Sequence, residues 1–315
     1  VRSPTPRRTL AAVAAAAAVV TTTAAPGRPE PYAAPQAAPA LARASLDARY
    51  AAVRGDIQRA YATARQLGDD ERAKTLQAFL APGRRFLAFD ARGHGRAVEV
   101  IGDLARAERV AVVVPGSDGR LTNFDDPKWA GGGARAVYRQ ARQVAPGVRV
   151  AVVAWLGYAS PSTRTPTVLT ARRAADGAHK LRRFVTELHR VNGRAHIALL
   201  CHSYGSVVCG TAAAGLPVDD IALYGSPGVT VSSVADMRTT ARVWAGRSDG
   251  DWTRYVPKMH VAGLGFGPDP AARSFGALRF AAGRGPHSEY LRPGSVSLRN
   301  LTFIALGRTA EVTNA

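Results

Sequence analysis

The chain has 315 residues, with 42 Lys or Arg against 23 Asp or Glu for a formal net charge of +19, 46% hydrophobic residues and two cysteines. That length is ample for one buried core, and two cysteines cannot build a zinc knuckle. The basic residues are scattered rather than gathered into a face interleaved with aromatics, which excludes a nucleic-acid role; the charge is instead compatible with peripheral contact to an anionic envelope surface.

In chain order, residues 1–8 are short and basic, 9–20 are apolar and Ala-rich, and small residues run to Ala25. This is the three-part layout of a secretory signal peptide. The apolar run is too short to span a bilayer comfortably, so a retained N-terminal anchor is the lesser reading. Arg7-Arg8-Thr9-Leu10 adds twin-arginine export to Sec export, and the expected location is secreted or extracytoplasmic. Residues 26–40 are Pro/Ala-rich, a leader or linker, with cleavage expected after Ala25, Ala40 or Ala42. Residues 1–42 are therefore read as signal peptide and leader. In residues 43–82, Leu46, Tyr50, Val53, Ile57 and Tyr61 recur at helical spacing, and Asp69-Asp70 cap a second helix through Phe79. A helical hairpin packed on the body is expected there.

Residues 83–315 alternate strands and helices. Strands are expected over 85–91, 96–102, 109–114 and 148–155, with helices over 133–144 and 171–191. The Val-rich run at 109–114 does not alternate, as befits a parallel strand buried on both faces. A strand over 195–200 leads into Cys201-His202-Ser203-Tyr204-Gly205 and a small-residue helix over 206–214. Further strands over 221–224, 241–245 and 277–282 precede a closing helix over 295–306. The fold class is α/β: a doubly wound, mostly parallel sheet, in which ligands bind outside the carboxyl ends of the strands.

Ser203 stands at the apex of a strand, sharp turn and helix, the context of a nucleophile elbow. G-x-S-x-G asks for Gly where Cys201 stands. In such folds an acid and then a His follow the nucleophile, each just past a later strand. His287, in Gly285-Pro286-His287-Ser288, fits the base. Asp251 is the preferred acid because Trp252 and Val256-Pro257 suggest a packed turn; Asp249 and Asp269 are the alternatives. His202 reads as structural, and His260 is the rival base, although no strand separates it from Asp251. The amide of Tyr204 and that of Ser117 or Asp118, after Pro115-Gly116, are the oxyanion donors expected. Trp155 and Tyr158 offer an apolar acyl pocket or core packing. Cys201 and Cys209 are either a disulfide pinning the elbow or two buried thiols. No metal-ligand spacing and no phosphate or dinucleotide loop is present in the sequence, so no metal and no cofactor are expected.

Taken together, Val113-Val114-Pro115-Gly116, Trp155-Leu156-Gly157-Tyr158, His202-Ser203-Tyr204-Gly205-Ser206, Gly225-Ser226-Pro227-Gly228, Gly267-Pro268-Asp269-Pro270 and His287-Ser288-Glu289-Tyr290 carry a resemblance. From about residue 83 to 308 the chain resembles an α/β-hydrolase, and more narrowly an actinobacterial domain-of-unknown-function family within that superfamily. The resemblance implies a Ser-Asp-His hydrolase and brings no substrate. The expected activity is a secreted serine esterase or lipase-like enzyme, a monomer acting on small-molecule or lipid esters. An amidase, an acyltransferase and a non-catalytic binding protein on the same fold are the alternatives.

Overall fold

The computed structural model describes residues 30–165, 168, 170–258 and 265–315; the signal peptide expected over residues 1–25, and His260, lie outside them. The strands are β1 (Arg85–Asp90), β2 (Arg96–Gly102), β3 (Arg109–Val114), β4 (Val150–Leu156), β5 (His196–His202), β6 (Asp220–Tyr224), β7 (Arg242–Gly246) and β8 (Leu278–Arg279). They form one sheet in the order β1-β2-β4-β3-β5-β6-β7-β8. β2 runs antiparallel to both β1 and β4, and every other neighbouring pair is parallel. The α-helices are α1 (Leu46–Leu67), α2 (Asp70–Phe79), α3 (Ala130–Val144), α4 (Arg172–Asn192), α5 (Tyr204–Ala212) and α6 (Val296–Ala305).

The central strands bury both faces because helices cover both. On β3, Ala111 and Val113 join one core with residues of α3 and α6, while Val110, Val112 and Val114 join the other with residues of α4 and α5. Period-two alternation of direction, with apolar residues at every position, is what puts a non-alternating Val run at the centre of a doubly wound sheet.

At the amino ends of β6 and β7 the sheet is fastened by charge. Asp220, fully buried, accepts from Arg242 Nε and Nη2 at 2.8 Å each and from Trp244 Nε1 at 2.8 Å. His196 Nε2, from the start of β5, lies 2.9 Å from the same carboxylate.

The helical hairpin lies at the opposite side of the sheet. Gly68, at φ 68°, closes α1, and the Asp69 side chain accepts from Arg72 N to start α2. Val53 and Ile57 of α1 share a core with Leu76 and Phe79 of α2 and Phe86 of β1. Three strands stand between β1 and β5, so the hairpin covers the edge strand rather than bordering the strand that leads to Ser203.

One element is shorter than its pattern suggests. Only Leu278 and Arg279 of the expected strand 277–282 pair with β7. Phe280 N still donates to Ala245 O at 3.1 Å, but Ala281 N turns to Thr313 O at 2.8 Å, so the chain end takes over as its partner.

Candidate active site

β5 ends at His202, and Ser203 sits at φ 53° and ψ −125° before α5 begins at Tyr204. A non-glycine residue at positive φ costs on the order of 1–3 kcal/mol and persists only where its surroundings fix it. Here Ser203 N donates to Tyr224 O at 2.9 Å, and the Ser203 carbonyl accepts from Ser206 N at 2.9 Å and Ser206 Oγ at 2.6 Å. Gly116 lies against the turn: a Cβ on it would stand 2.7 Å from Ser203 Cβ, closer than real contacts allow. The loop after β3 can therefore meet the elbow only with glycine at that position.

The Cys201 position follows from the same packing. Its side chain is fully buried and bonded to Cys209 on α5 as a disulfide. Where the pattern asks for Gly, this chain tolerates a Cβ because the sulfur beyond it is directed into the covalent link to the following helix.

Ser203 Oγ stands 2.9 Å from His287 Nε2. On its other side, His287 Nδ1 stands 2.9 Å from Asp251 Oδ1 and 3.0 Å from Oδ2. With a carboxylate facing it, Nδ1 carries the proton and Nε2 accepts from the serine hydroxyl. Asp251 is wholly buried and His287 is 16% exposed. Thr253 N and Thr253 Oγ1 each donate to Asp251 Oδ1 at 2.8 Å, and the Tyr290 hydroxyl donates to Oδ2 at 2.5 Å. Burial opposes ionisation of Asp251, but the hydrogen bonds from His287, Tyr290 and the Thr253 amide outweigh it and hold the carboxyl well below the usual range. Burial, with the Asp251 charge, pushes the Tyr290 phenol up, so its proton stays in place to donate.

The other two acids stand elsewhere. Asp249 is 76% exposed and faces Arg284 across 4.0 Å. Asp269 is paired with Arg247, and its Oδ1 accepts from Ala271 N at 3.0 Å in its own turn. Trp252 is not the packed anchor of the Asp251 turn: it is 54% exposed, with its ring 4.9 Å from the His287 ring, while fully buried Thr253 does the anchoring.

His202 is tied to this constellation. Its Nε2 donates to the His287 carbonyl at 2.9 Å. Burial, reinforced by the nearby His287, pushes the His202 imidazole down to about 3, so it stays neutral. The sequence carried no signal for this contact beyond the position of His202 next to Ser203. For Tyr290 there was one, since it stands three residues past His287 on the same turn.

Trp155 and Tyr158 do not form an acyl pocket. Each is 1% exposed, their rings stack at 5.9 Å, and both belong to the core that α4 and α5 cover. The Tyr158 hydroxyl is drawn to the Pro115 carbonyl at 2.8 Å and the Gly116 carbonyl at 3.1 Å, because a buried hydroxyl must find an acceptor. Ser160 Oγ donates to the Gly116 carbonyl as well, at 2.6 Å. In a trans peptide the N–H points opposite to the C=O. Holding the Gly116 carbonyl therefore fixes the direction of the Ser117 N–H. The Asp118 amide is engaged separately, donating to Pro161 O at 2.8 Å.

A family model described as alpha/beta hydrolase matches residues 90–261. An uncharacterized protein of Mycobacterium tuberculosis is 32% identical over an alignment of 253 residues that covers 68% of this chain and 37% of that protein. The chain thus spans little more than a third of that relative's length. An uncharacterized protein of Mycobacterium bovis is 34% identical over 166 residues, 50% of this chain and 62% of that one. Among solved structures, an α/β serine hydrolase without lid from Xanthomonas campestris aligns at 14% identity and TM-score 0.42, over 72% of this chain and 95% of its own. With eight strands in the order described and the family model covering more than half of its length, the chain belongs to the alpha/beta hydrolase family.

Proposed function

We propose that this hydrolase is an exported serine esterase in which Ser203 is the nucleophile, His287 the general base and Asp251 the acid that holds it. The observation that carries the reading is the placement of the His287 ring between Ser203 Oγ at 2.9 Å and the Asp251 carboxylate at 2.9 Å.

In this reading Ser203 Oγ attacks the ester carbonyl carbon while His287 Nε2 takes the hydroxyl proton. Asp251, ionised and buried, stabilises the imidazolium that results. The tetrahedral oxyanion receives the amide N–H groups of Tyr204 and Ser117 and faces the positive end of α5. Collapse breaks the carbonyl–alkoxy bond, and His287 returns the proton to the departing alcohol. Water, deprotonated by His287, then attacks the acyl-enzyme; the acid leaves and Ser203 regains its proton.

Trp252, at 54% exposure, and Tyr255, at 80%, lie in the short helical turn after Asp251, and the Trp252 ring flanks His287. An apolar flank of this kind suits the acyl or alkoxy part of a carboxylic ester. Export is supported by the N-terminal pattern of residues 1–25 and by the Cys201–Cys209 disulfide, which belongs in an oxidising compartment.

The test is labelling with a fluorophosphonate probe, beside Ser203→Ala and His287→Ala, followed by turnover of p-nitrophenyl esters of graded chain length. Labelling and turnover lost in both variants fit the reading. Folded wild-type protein that neither labels nor turns over any ester refutes it.

A further inference from the structure

A cavity of about 370 Å³ opens on the half of the sheet away from Ser203, between α4, the segment leading into α1, and strands β1, β2 and β4. That volume lies within the range of small-molecule sites, roughly 300–1,000 Å³. Its apolar lining comprises Pro35, Ala88 and Phe184 together with the almost wholly buried Leu41, Leu87 and Trp155. Arg49, Arg96, Lys180 and Arg183 also line it, against two acids, Asp90 and Glu187.

The charges do not cancel. Asp90 is paired with Arg92 and Arg96, and Glu187 faces Arg183 at 3.7 Å. That leaves Arg49 and Lys180. Arg49 donates to the carbonyls of Leu87 and Pro39 at 2.7 Å each and forms no ion pair among the described residues. Lys180 forms neither a hydrogen bond nor an ion pair among them. Burial, with Arg96 beside it, pushes the Lys180 ammonium down from its ordinary value, and burial does the same to the Arg49 guanidinium. Asp176 and Asp90 attract Lys180, and Glu187 attracts Arg49, only from beyond ion-pair distance, and partly buried cations held that way still gain from a closer anion. An apolar wall with a few convergent polar groups is also how ligand sites are built.

We infer that this cavity binds an anionic amphiphile, its acidic head group on Lys180 and Arg49 and its tail along Pro35, Ala88 and Phe184. The site is separate from Ser203, lies on the far side of β3 from the elbow strand, and does not depend on the esterase reading. A carboxylate or a phosphate monoester brings the same head-group chemistry.

Calorimetric titration tests this with decanoate, decyl phosphate and decyltrimethylammonium, each kept below its micelle concentration. The wild-type chain is compared with Ser203→Ala, Lys180→Arg, Lys180→Gln and Lys180→Glu, all checked for wild-type melting. At least one of the two anions is expected to bind one per chain, unaffected by Ser203→Ala and within about threefold in Lys180→Arg. Lys180→Gln weakens it, and Lys180→Glu weakens it by roughly tenfold or more. Whichever anion binds more tightly identifies the head group. No binding of either anion, equal binding of the cation, or affinity unchanged in both Lys180→Gln and Lys180→Glu overturns the inference.

Discussion

His202 and His287 are joined ring to backbone: His202 Nε2 donates to the His287 carbonyl at 2.9 Å, and their ring centroids lie 4.7 Å apart. The residue before Ser203 thus holds the loop that presents the imidazole to Ser203. Burial keeps His202 neutral down to about 3, so no charge appears beside His287 as pH falls through the ordinary histidine range. In the esterase reading His202 is a positioning residue.

His202→Leu removes that donor while filling similar space. Misplacement of a reacting group by about 1 Å costs on the order of 10²-fold, so kcat is expected to fall by roughly 10- to 100-fold with KM nearly unchanged. His202→Gln, which restores an amide N–H near the Nε2 position, should recover most of it. Steady-state kinetics with a p-nitrophenyl ester reads both variants; equal losses in the two would show that only packing is involved.

The acid is separable from its neighbours by geometry. Asp251 meets His287, while Asp249 is 76% exposed and Asp269 is paired with Arg247. Asp251→Asn lets the amide donate toward Nδ1 and favours the wrong tautomer, with an expected loss of about 10⁴-fold in kcat. Asp249→Asn should remain within twofold. Tyr290→Phe removes one of the donors to Asp251 and is expected to cost about tenfold. A loss with Asp249→Asn as large as that with Asp251→Asn would contradict this arrangement.

The strands β3, β4, β6 and β7 were legible because each holds an apolar run ended by Gly or Pro, and the sheet leaves every one of β3 to β7 within two residues of its pattern. The elbow was legible because a strand, a Ser and a small-residue helix follow without a gap. What the sequence did not carry is direction. Tyr158 follows a strand at the same end of the sheet as the elbow, yet its ring turns inward and its hydroxyl supports the Gly116 peptide. Trp252 looked like a core anchor and is exposed, because the neighbouring Thr253 takes both the burial and the bonds to Asp251. The contacts of His202 and Tyr290 join segments more than 35 residues apart, which spacing along the chain does not encode.

The disulfide between Cys201 and Cys209 closes a short loop across the elbow, with sequence separation 8. Loop-closure entropy for a ring of that size corresponds to about 2–3 kcal/mol. Cys201→Ala with Cys209→Ala is therefore expected to lower the melting temperature by roughly 5–10 °C, and to lower kcat more than KM if the link steadies the strained φ of Ser203. Calorimetric melting with parallel kinetics measures both, and an unchanged melting temperature would mean that packing alone holds the elbow.

At the other end of the sheet, Asp220 predicts how the fold meets acid. Its contacts with Arg242, His196 and Trp244 outweigh the burial that opposes its charge and lower its pKa from 3.8 to about 2. A carboxyl lowered in the folded state stabilises the fold fully above its unfolded value, near 3.8, and loses that contribution as pH falls through about 2. The size of the shift corresponds to about 2 kcal/mol. Asp220→Asn should lower stability at pH 7 by roughly that amount or somewhat more, because Arg242 is left facing a neutral group but is 46% exposed and can turn to water. Urea unfolding at pH 7, 5, 4 and 2 reads the difference between wild type and variant. It should hold between pH 7 and pH 5 and shrink from pH 4 downward; a difference independent of pH would show that Asp220 contributes shape rather than charge.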